Sequence, residues 1–346
     1  MLKSLEIQGF RCFRELRVEP LTRVNLFVGL NNAGKTSLLE AAELVAIGRV
    51  EGLVRSAVRR GERVLGRSDL SEEFKEHVVD PSHLFFGHDI QVGKAFGITG
   101  FGEERHWVQC EVEHASVQET LIRTLYFQSH STAQKREHER LTISPSGGVL
   151  PPPRRLSEPP RVNFLAADSA DSASLGQLWD DLLLTPEEEE VTKSLRAIEP
   201  HLERLAFLSE TRGSSSNILV KLKQFEQRLP LGTLGGGLKH LLGLVLNLLS
   251  ARGGCLLVDE IDTGLHYSVM VDMWRLLIEN AKRLDTQVFA TTHSLDCVRA
   301  LARLAKRYPE NAAEVMVHRL EREASKTVVY DADEIVIAAD SHIEVR

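Results

Sequence analysis

"FVGLNNAGKTSLLEA", residues 27–41, decides how the chain is read. An apolar strand runs into two glycines, two asparagines, a lysine and two hydroxyls, and a helical pattern follows. Gly29 to Thr36 reads G-L-N-N-A-G-K-T, a full match to the phosphate-loop pattern GxxxxGK[ST]. The backbone N–H groups of such a loop, here Gly29, Asn31, Asn32, Ala33 and Gly34, point inward at phosphate oxygens, and the following helix adds its dipole. Lys35 reaches the outer phosphates and Thr36 supplies a hydroxyl to Mg²⁺. The alternative is a glycine turn of no function. The loop's position between a strand and a helix, as its mechanism demands, weighs against that.

Working outward, the 346-residue chain is 42% hydrophobic and 26% charged, enough for one large globular domain or two ordinary ones. No apolar run approaches the ~18 residues of a membrane span, and "HLLGLVLNLLS" reads as a core helix. The start, "MLKSLEIQGF", alternates polar and apolar and does not resemble a signal peptide. Four cysteines, Cys12, Cys110, Cys255 and Cys297, are scattered without CxxC pairing, which fits structural thiols in a reducing cytoplasm. The net charge of −7 means that nucleic acid would bind only through a local basic patch. Residues 49–67, with six arginines against two glutamates, are the candidate. A solvated helix surface is the plainer reading of that stretch.

Residues 2–29 read as three short strands with turns at Gly9 and Pro20, and 35–48 as a helix stopped by Gly48. Residues 90–143 look β-rich, and 145–161 are loop or linker, crowded with proline and glycine. A helical insert follows. "LTPEEEEVTKSLRAIEPHLERLAFL", residues 184–208, opens with Thr185 as N-cap, Pro186 at N1 and Glu188 at N3, a capping box. Its four glutamates sit where the helix dipole favours negative charge, so they read as helix-start chemistry and not as a metal site. From residue 230 strands and helices alternate, which predicts a mainly parallel sheet covered on both faces. The expected organisation is an N-terminal lobe over 1–165, a helical insert over 166–229 and a C-terminal lobe over 230–346.

Three further features carry chemistry. Asp259 and Glu260 end the apolar strand "CLLVDE". In a phosphate-loop enzyme the first acid binds Mg²⁺ through water and the second polarises the attacking water. His293 follows the strand "VFATT", 33 residues after Glu260, where an imidazole could report on a γ-phosphate. "LGGGLK", residues 234–239, puts three glycines, Gly235, Gly236 and Gly237, at a helix start, a second anion site. A chain whose own cradle is at Lys35 would use the second one on the nucleotide of another copy.

The order of these features over nearly the whole chain resembles the ABC-type ATPase head, an α/β phosphate-loop NTPase fold with a mainly parallel core sheet, an antiparallel β lobe and a helical insert. "IQGFRCF" (residues 7–13), "LLVDEIDTGLHYSV" (256–269) and "VFATTHSLDCVRA" (288–300) resemble its RecF, SMC and OLD branch, and in particular stand-alone OLD-like AAA family ATPases. The closing "IEVR" resembles the natural end of such proteins, so no truncation is expected. The resemblance implies that Gly29, Gly34, Lys35, Thr36 and Ser37 form Walker A, Asp259 is the Walker B acid and Glu260 the base. It also implies a signature over Leu234 to Lys239, a D-loop over Thr263, Gly264, Leu265 and His266, and a switch role for His293. Catalysis falls to Glu260, His293 and Lys35, Mg²⁺ to Thr36 and Asp259, and Arg11 is expected to approach the γ-phosphate. Gly235 stands where the usual signature has serine, and Gln91 is the candidate Q-loop residue.

The expected function is an ATPase that dimerises head to tail around two ATPs and acts as a nucleotide-driven switch, cytoplasmic and without a membrane partner. Only 53 residues follow His293, too few for a TOPRIM nuclease, and the DxD of "DADE" (331–334) reads as a helix capping box. A separate effector protein, nuclease or toxin, in anti-phage defence is therefore expected. The alternatives are a RecF-like DNA-repair clamp, a transporter subunit, and an ATP binder with weak hydrolysis that cements a homo-oligomer.

Overall fold

The first 47 residues set the plan. Strand β1 (Leu2–Phe10) turns through Arg11 and Cys12 into β2 (Phe13–Val18), β3 (Val24–Val28) follows, and the loop after it opens helix α1 (Lys35–Ile47). The first turn thus lies at Arg11–Cys12, and Gly9 is inside β1. In the computed structural model, residues 1–62, 78–117, 120–131, 137–144, 147–149, 161–167, 172–208, 217–341, 343 and 345 are described. The chain forms two compact units, Met1–Leu21 with Asn32–Pro160 and Leu320–Thr327, and Thr22–Asn31 with Arg161–Arg319 and Val328–Arg346.

The first unit is built on an antiparallel sheet. Strands β4 (Ala95–Gly102), β5 (Arg105–Val117), β6 (Thr120–Ser131) and β7 (Glu137–Thr142) join β1 and β2 in the order β2-β1-β4-β5-β6-β7. The alternation read in the sequence becomes one apolar face, with Leu5, Ile7, Phe96, Ile98, Val108, Cys110 and Phe127 buried. Helix α1 packs against β1, β4 and β5, and α2 (Val50–Arg59) packs on α1. In its described part the basic stretch is an exposed helix face at Arg55, while two of its arginines also reach inward. Arg59 bonds the nearly buried Glu43 at 2.8 Å, and Arg60 bonds the fully buried Glu40 at 2.8 Å. Arg63 and Arg67 lie outside the described residues, as does most of 145–161.

The second unit holds a six-stranded sheet, ordered β15-β14-β3-β13-β12-β8. Its strands are β3, β8 (Val162–Leu165), β12 (Cys255–Val258), β13 (Gln287–Thr291), β14 (Val315–Arg319) and β15 (Val328–Tyr330). Every pairing is parallel except that of β15, and β3, β12 and β13 are buried along their whole length. Helices α3 (Ser172–Asp180), α4 (Pro186–Leu195), α5 (Gly236–Ser250), α6 (Met270–Arg283), α7 (Leu295–Arg307), the single-turn α8 (Pro309–Ala312) and α9 (Ala332–Asp340) accompany it. Buried Trp274 fastens α6 to α7 by donating its indole N–H to the Cys297 carbonyl at 3.1 Å. Among the described residues no helix is long and apolar enough to cross a membrane.

The segment 166–229 is only partly helical. After α3 and α4 the chain forms a three-stranded antiparallel sheet of β9 (Leu202–Leu208), β10 (Asn217–Leu222) and β11 (Arg228–Pro230). The helix read through residue 208 stops at Leu195, because Pro200 bars an α conformation before it and the following residues pair with β10. The Thr185–Glu188 capping box does not form as expected. Glu188 accepts from the Leu184 N–H at 3.2 Å, and the Thr185 hydroxyl donates to the Leu182 carbonyl at 2.6 Å. The box at Asp331 and Glu334 does form, with bonds of 2.9 and 3.0 Å, which accounts for both acids as a cap.

Candidate active site

Parallel register brings three chain exits to one edge of the second unit. Val258 pairs with Ala290, and Thr291 with Phe27, so β12, β13 and β3 end side by side. Gly29, Asp259 and His293 follow those ends, at the carboxyl edge where an open α/β sheet places its ligands. The Thr291 hydroxyl donates to Asp259 Oδ1 at 2.6 Å and accepts the Glu260 N–H at 2.9 Å. One hydroxyl therefore fixes both acids. Glu260 has a left-handed φ of 52°, a conformation a non-glycine residue holds only when its neighbours impose it. Its Oε1 lies 3.5 Å from Nδ1 of His293, and both side chains are about half exposed. One residue on, Thr292 donates to Asp262 at 2.6 Å and accepts the Ser294 N–H.

The glycine turn sits at the start of the 15-residue α5. A Cβ on Gly237 would lie 2.5 Å from the Gly264 carbonyl oxygen, so the glycine turn and the turn at Gly264 touch backbone to backbone. Gly235 and Gly236 face open space. Their N–H groups at a helix N-terminus offer an unblocked seat for an anion. His240 on α5 is buried, with Nε2 3.0 Å from the Ile261 carbonyl. That contact ties α5 to the segment after Glu260. Burial holds the His240 imidazole below its ordinary titration range, against the carbonyl bond and Asp262, which act the other way.

From Asn32 onward the phosphate loop lies in the first unit, and Gly29 to Asn31 lie in the second. Leu30 at its tip is 77% exposed, and Asn32 is left-handed. Gly34 caps α1 at φ 96°, and a Cβ there would meet the Phe13 ring at 2.5 Å and Cys12 Sγ at 2.8 Å. Its carbonyl accepts the Leu38 N–H at 2.9 Å, the first bond of the helix. Lys35 and Thr36 open that helix, and Ser37 is buried with its hydroxyl 3.1 Å from Arg60 Nη2. Fully buried Glu40 holds Arg60 on one side and Arg11 on the other. Arg11 is 4% exposed and also bonds Glu62 at 2.6 Å and Ser56 at 2.7 Å, an internal position beneath the phosphate loop. Gln91 lies in the turn before β4, its N–H on Asp89.

Thr291, Thr292, His240, Glu40 and Arg60 were not singled out from sequence. The paired hydroxyls directly before His293 were the available signal for the first two. Glu40 and Arg60 meet across 20 residues, and no local pattern marks that pairing.

Among the described residues no group of three or more His, Cys, Asp or Glu side chains could hold a metal alone. Asp259 in the second unit and Thr36 in the first each carry an oxygen donor of the kind that suits Mg²⁺.

Fold and motif order define an ABC-type ATPase head of the RecF, SMC and OLD branch. Residues 24–297 match the family model described as "AAA domain, putative AbiEii toxin, Type IV TA system", and the chain belongs to that family. An ATP/GTP phosphatase of Helicobacter pylori (strain ATCC 700392 / 26695) is 22% identical, with 87% of each chain covered. An OLD nuclease of Thermus scotoductus (strain ATCC 700910 / SA-01) is 25% identical over 85% of this chain and 59% of its own. A DNA replication and repair protein RecF of Thioalkalivibrio sulfidiphilus (strain HL-EbGR7) is 48% identical over 48 residues, 14% of this chain and 13% of its own. In fold the chain is similar to an SMC head solved with the C-winged helix domain of ScpA, with a TM-score of 0.51, 13% identity and coverage of 95% and 97%.

Two stability predictions follow from this geometry. Protonation of His240 is disfavoured in the folded chain, so as pH falls the unfolded chain takes up that proton first. The stability His240 contributes is complete above about pH 6.5 and is lost as pH drops below it. Urea unfolding should show this slope in the wild type and lack it in His240→Gln. Glu40→Ala takes from buried Arg11 one of its two carboxylates and frees Arg60, so the unfolding free energy should fall by about 2–4 kcal/mol in the same assay.

Proposed function

We propose that this ATPase closes a head-to-tail dimer around two ATPs and uses hydrolysis to open it. The observation that carries the reading is the open backbone at Gly235 and Gly236, a second anion seat in a chain that already has a phosphate loop. Each nucleotide would be held by Gly29, Asn31, Asn32, Ala33, Gly34, Lys35, Thr36 and Ser37 of one copy. Its γ-phosphate would meet the glycine turn of the other. Thr36 and Asp259 would hold Mg²⁺, which neutralises charge on the β- and γ-phosphates. Glu260 takes a proton from the attacking water as its oxygen bonds the γ-phosphorus, and the in-line bond from that phosphorus to the β-phosphate oxygen breaks, leaving ADP with the electron pair. His293, beside Glu260, contacts the γ-phosphate and registers its loss.

A closed dimer with ATP and an open one without it is a population switch, driven by contacts made only to the γ-phosphate. We assign its output to a separate effector protein, nuclease or toxin, in anti-phage defence, and its place to the cytoplasm. The family description and the OLD nuclease relative support that assignment. A RecF-like DNA clamp is the second reading, favoured by the 48-residue match to RecF. An oligomer cemented by ATP, with weak hydrolysis, is the third, because Gly235 offers no hydroxyl.

Light scattering with and without ATP and Mg²⁺, beside ATP turnover, tests the switch. At a concentration where the ATP-free protein is a single chain, Glu260→Gln should shift from one chain to two with ATP while its turnover falls about 10²–10⁴-fold. Unchanged mass with undiminished turnover would sink both the dimer and the assignment of the base. Gly236→Ala has room for its methyl and should fold as wild type, yet it should lose ATP-driven association because the methyl stands in the anion's path.

A further inference from the structure

Between α3 and α4 the chain exposes two leucines, one of them almost entirely. Leu184 is 97% exposed and Leu183 43% exposed. Leu184 also has a left-handed φ of 62°, which a leucine adopts only under constraint. The constraint is visible, since its N–H is held by Glu188, and the Thr185 hydroxyl closes the turn on the Leu182 carbonyl. The result is an apolar knob whose turn is closed by two hydrogen bonds. Residues 180–190 around it hold six acids and no base. Two such knobs meeting each other would bring like charges together, so the seat for the knob must be cationic.

The same unit carries such a seat. A cavity of about 400 Å³ between α7 and α9 is lined by Arg299, Ala302, Arg303, Lys306, Ala339 and Asp340. The three cations follow one helix face at positions i, i+4 and i+7, and the two alanines and the aliphatic stems of the arginines give an apolar floor. Lys306 is held by Asp340 at 2.5 and 2.7 Å, and Arg299 lies 3.7 Å from Asp296. Arg303 makes no ion pair among the described residues and is exposed.

We propose that Leu183 and Leu184 of one copy seat in the Arg299–Arg303–Lys306 cavity of a second copy, with Asp180 and Asp181 on the arginines. The contact joins unlike surfaces, so it closes as a reciprocal pair or continues from copy to copy. It involves no nucleotide and stands apart from the ATP-driven dimer.

Sedimentation velocity of the full chain over a concentration series, in EDTA without nucleotide, tests it. Wild type should gain mass with concentration, and Leu184→Gly and Arg303→Glu should each associate at least about tenfold more weakly. Leu184→Gly also relieves the left-handed strain, so it should unfold no more easily than wild type while losing association. A merely structural leucine would not give that split. Each variant keeps one half of the contact, so an equimolar mixture should form a two-chain species that neither forms alone. The proposal is overturned if wild type stays at single-chain mass, if Arg303→Glu associates like wild type, or if the mixture yields no two-chain species. The absence of ATP keeps these outcomes separate from those of Glu260→Gln.

Discussion

The register of β3, β13 and β12 governs the chemistry at their carboxyl ends. Side chains alternate faces along a strand, so a slip of one residue would turn every one of them over. Thr291 reaches Asp259 and the Glu260 N–H only because Val258 is paired with Ala290. That pairing is held by burial, since all residues of the three strands lie inside and a slip would set polar Asn25 or Gln287 against apolar neighbours. The two polar residues are themselves satisfied in the native register. Asn25 bonds the Thr22 and Val288 carbonyls, and Gln287 the Thr22 carbonyl.

What happens at the strand ends is joined mechanically to the glycine turn. Glu260 reverses the chain in a left-handed conformation, and the next N–H, of Ile261, returns to the Thr291 carbonyl at 3.0 Å. The Ile261 carbonyl faces His240 on α5, and Gly264, two residues beyond Asp262, touches Gly237. A change at Glu260 therefore meets α5 through one side chain and one backbone contact, with no soft element between them. The two contacts also explain residue choice. A side chain at Gly237 has no room, and a charged imidazole at His240 has no water.

Much of the fold was legible because local signals and burial agreed. The phosphate loop, the alternating strands of the first unit, the αβ order after residue 230 and the Asp331–Glu334 cap all follow short-range rules. Legibility failed where a distant partner decided the outcome. The stretch after Leu195 keeps an amphipathic look, but β10 offers it a ladder and Pro200 ends the helix. Thr185 satisfies the usual cap pattern, yet the turn of Leu184 draws Glu188 one residue back. At the site, acids and histidine were visible as strand-end residues. The hydroxyls that aim them were not, since threonine in a buried strand ordinarily reads as β propensity alone.

The arginines of residues 49–67 show why composition alone misleads about partners. Glu40 and Glu43 stand on α1 at 0% and 2% exposure, and a buried carboxylate without a counter-charge would not persist. Arg11 and Arg60 answer the first and Arg59 the second. Two arginines of the basic stretch thus spend part of their charge on carboxylates of the phosphate-loop helix. Phosphate contacts supply most of a nucleic acid's affinity for protein, so each cation withdrawn from the surface lowers it. Net charge and the number of arginines in a stretch therefore do not by themselves count the cations a surface presents.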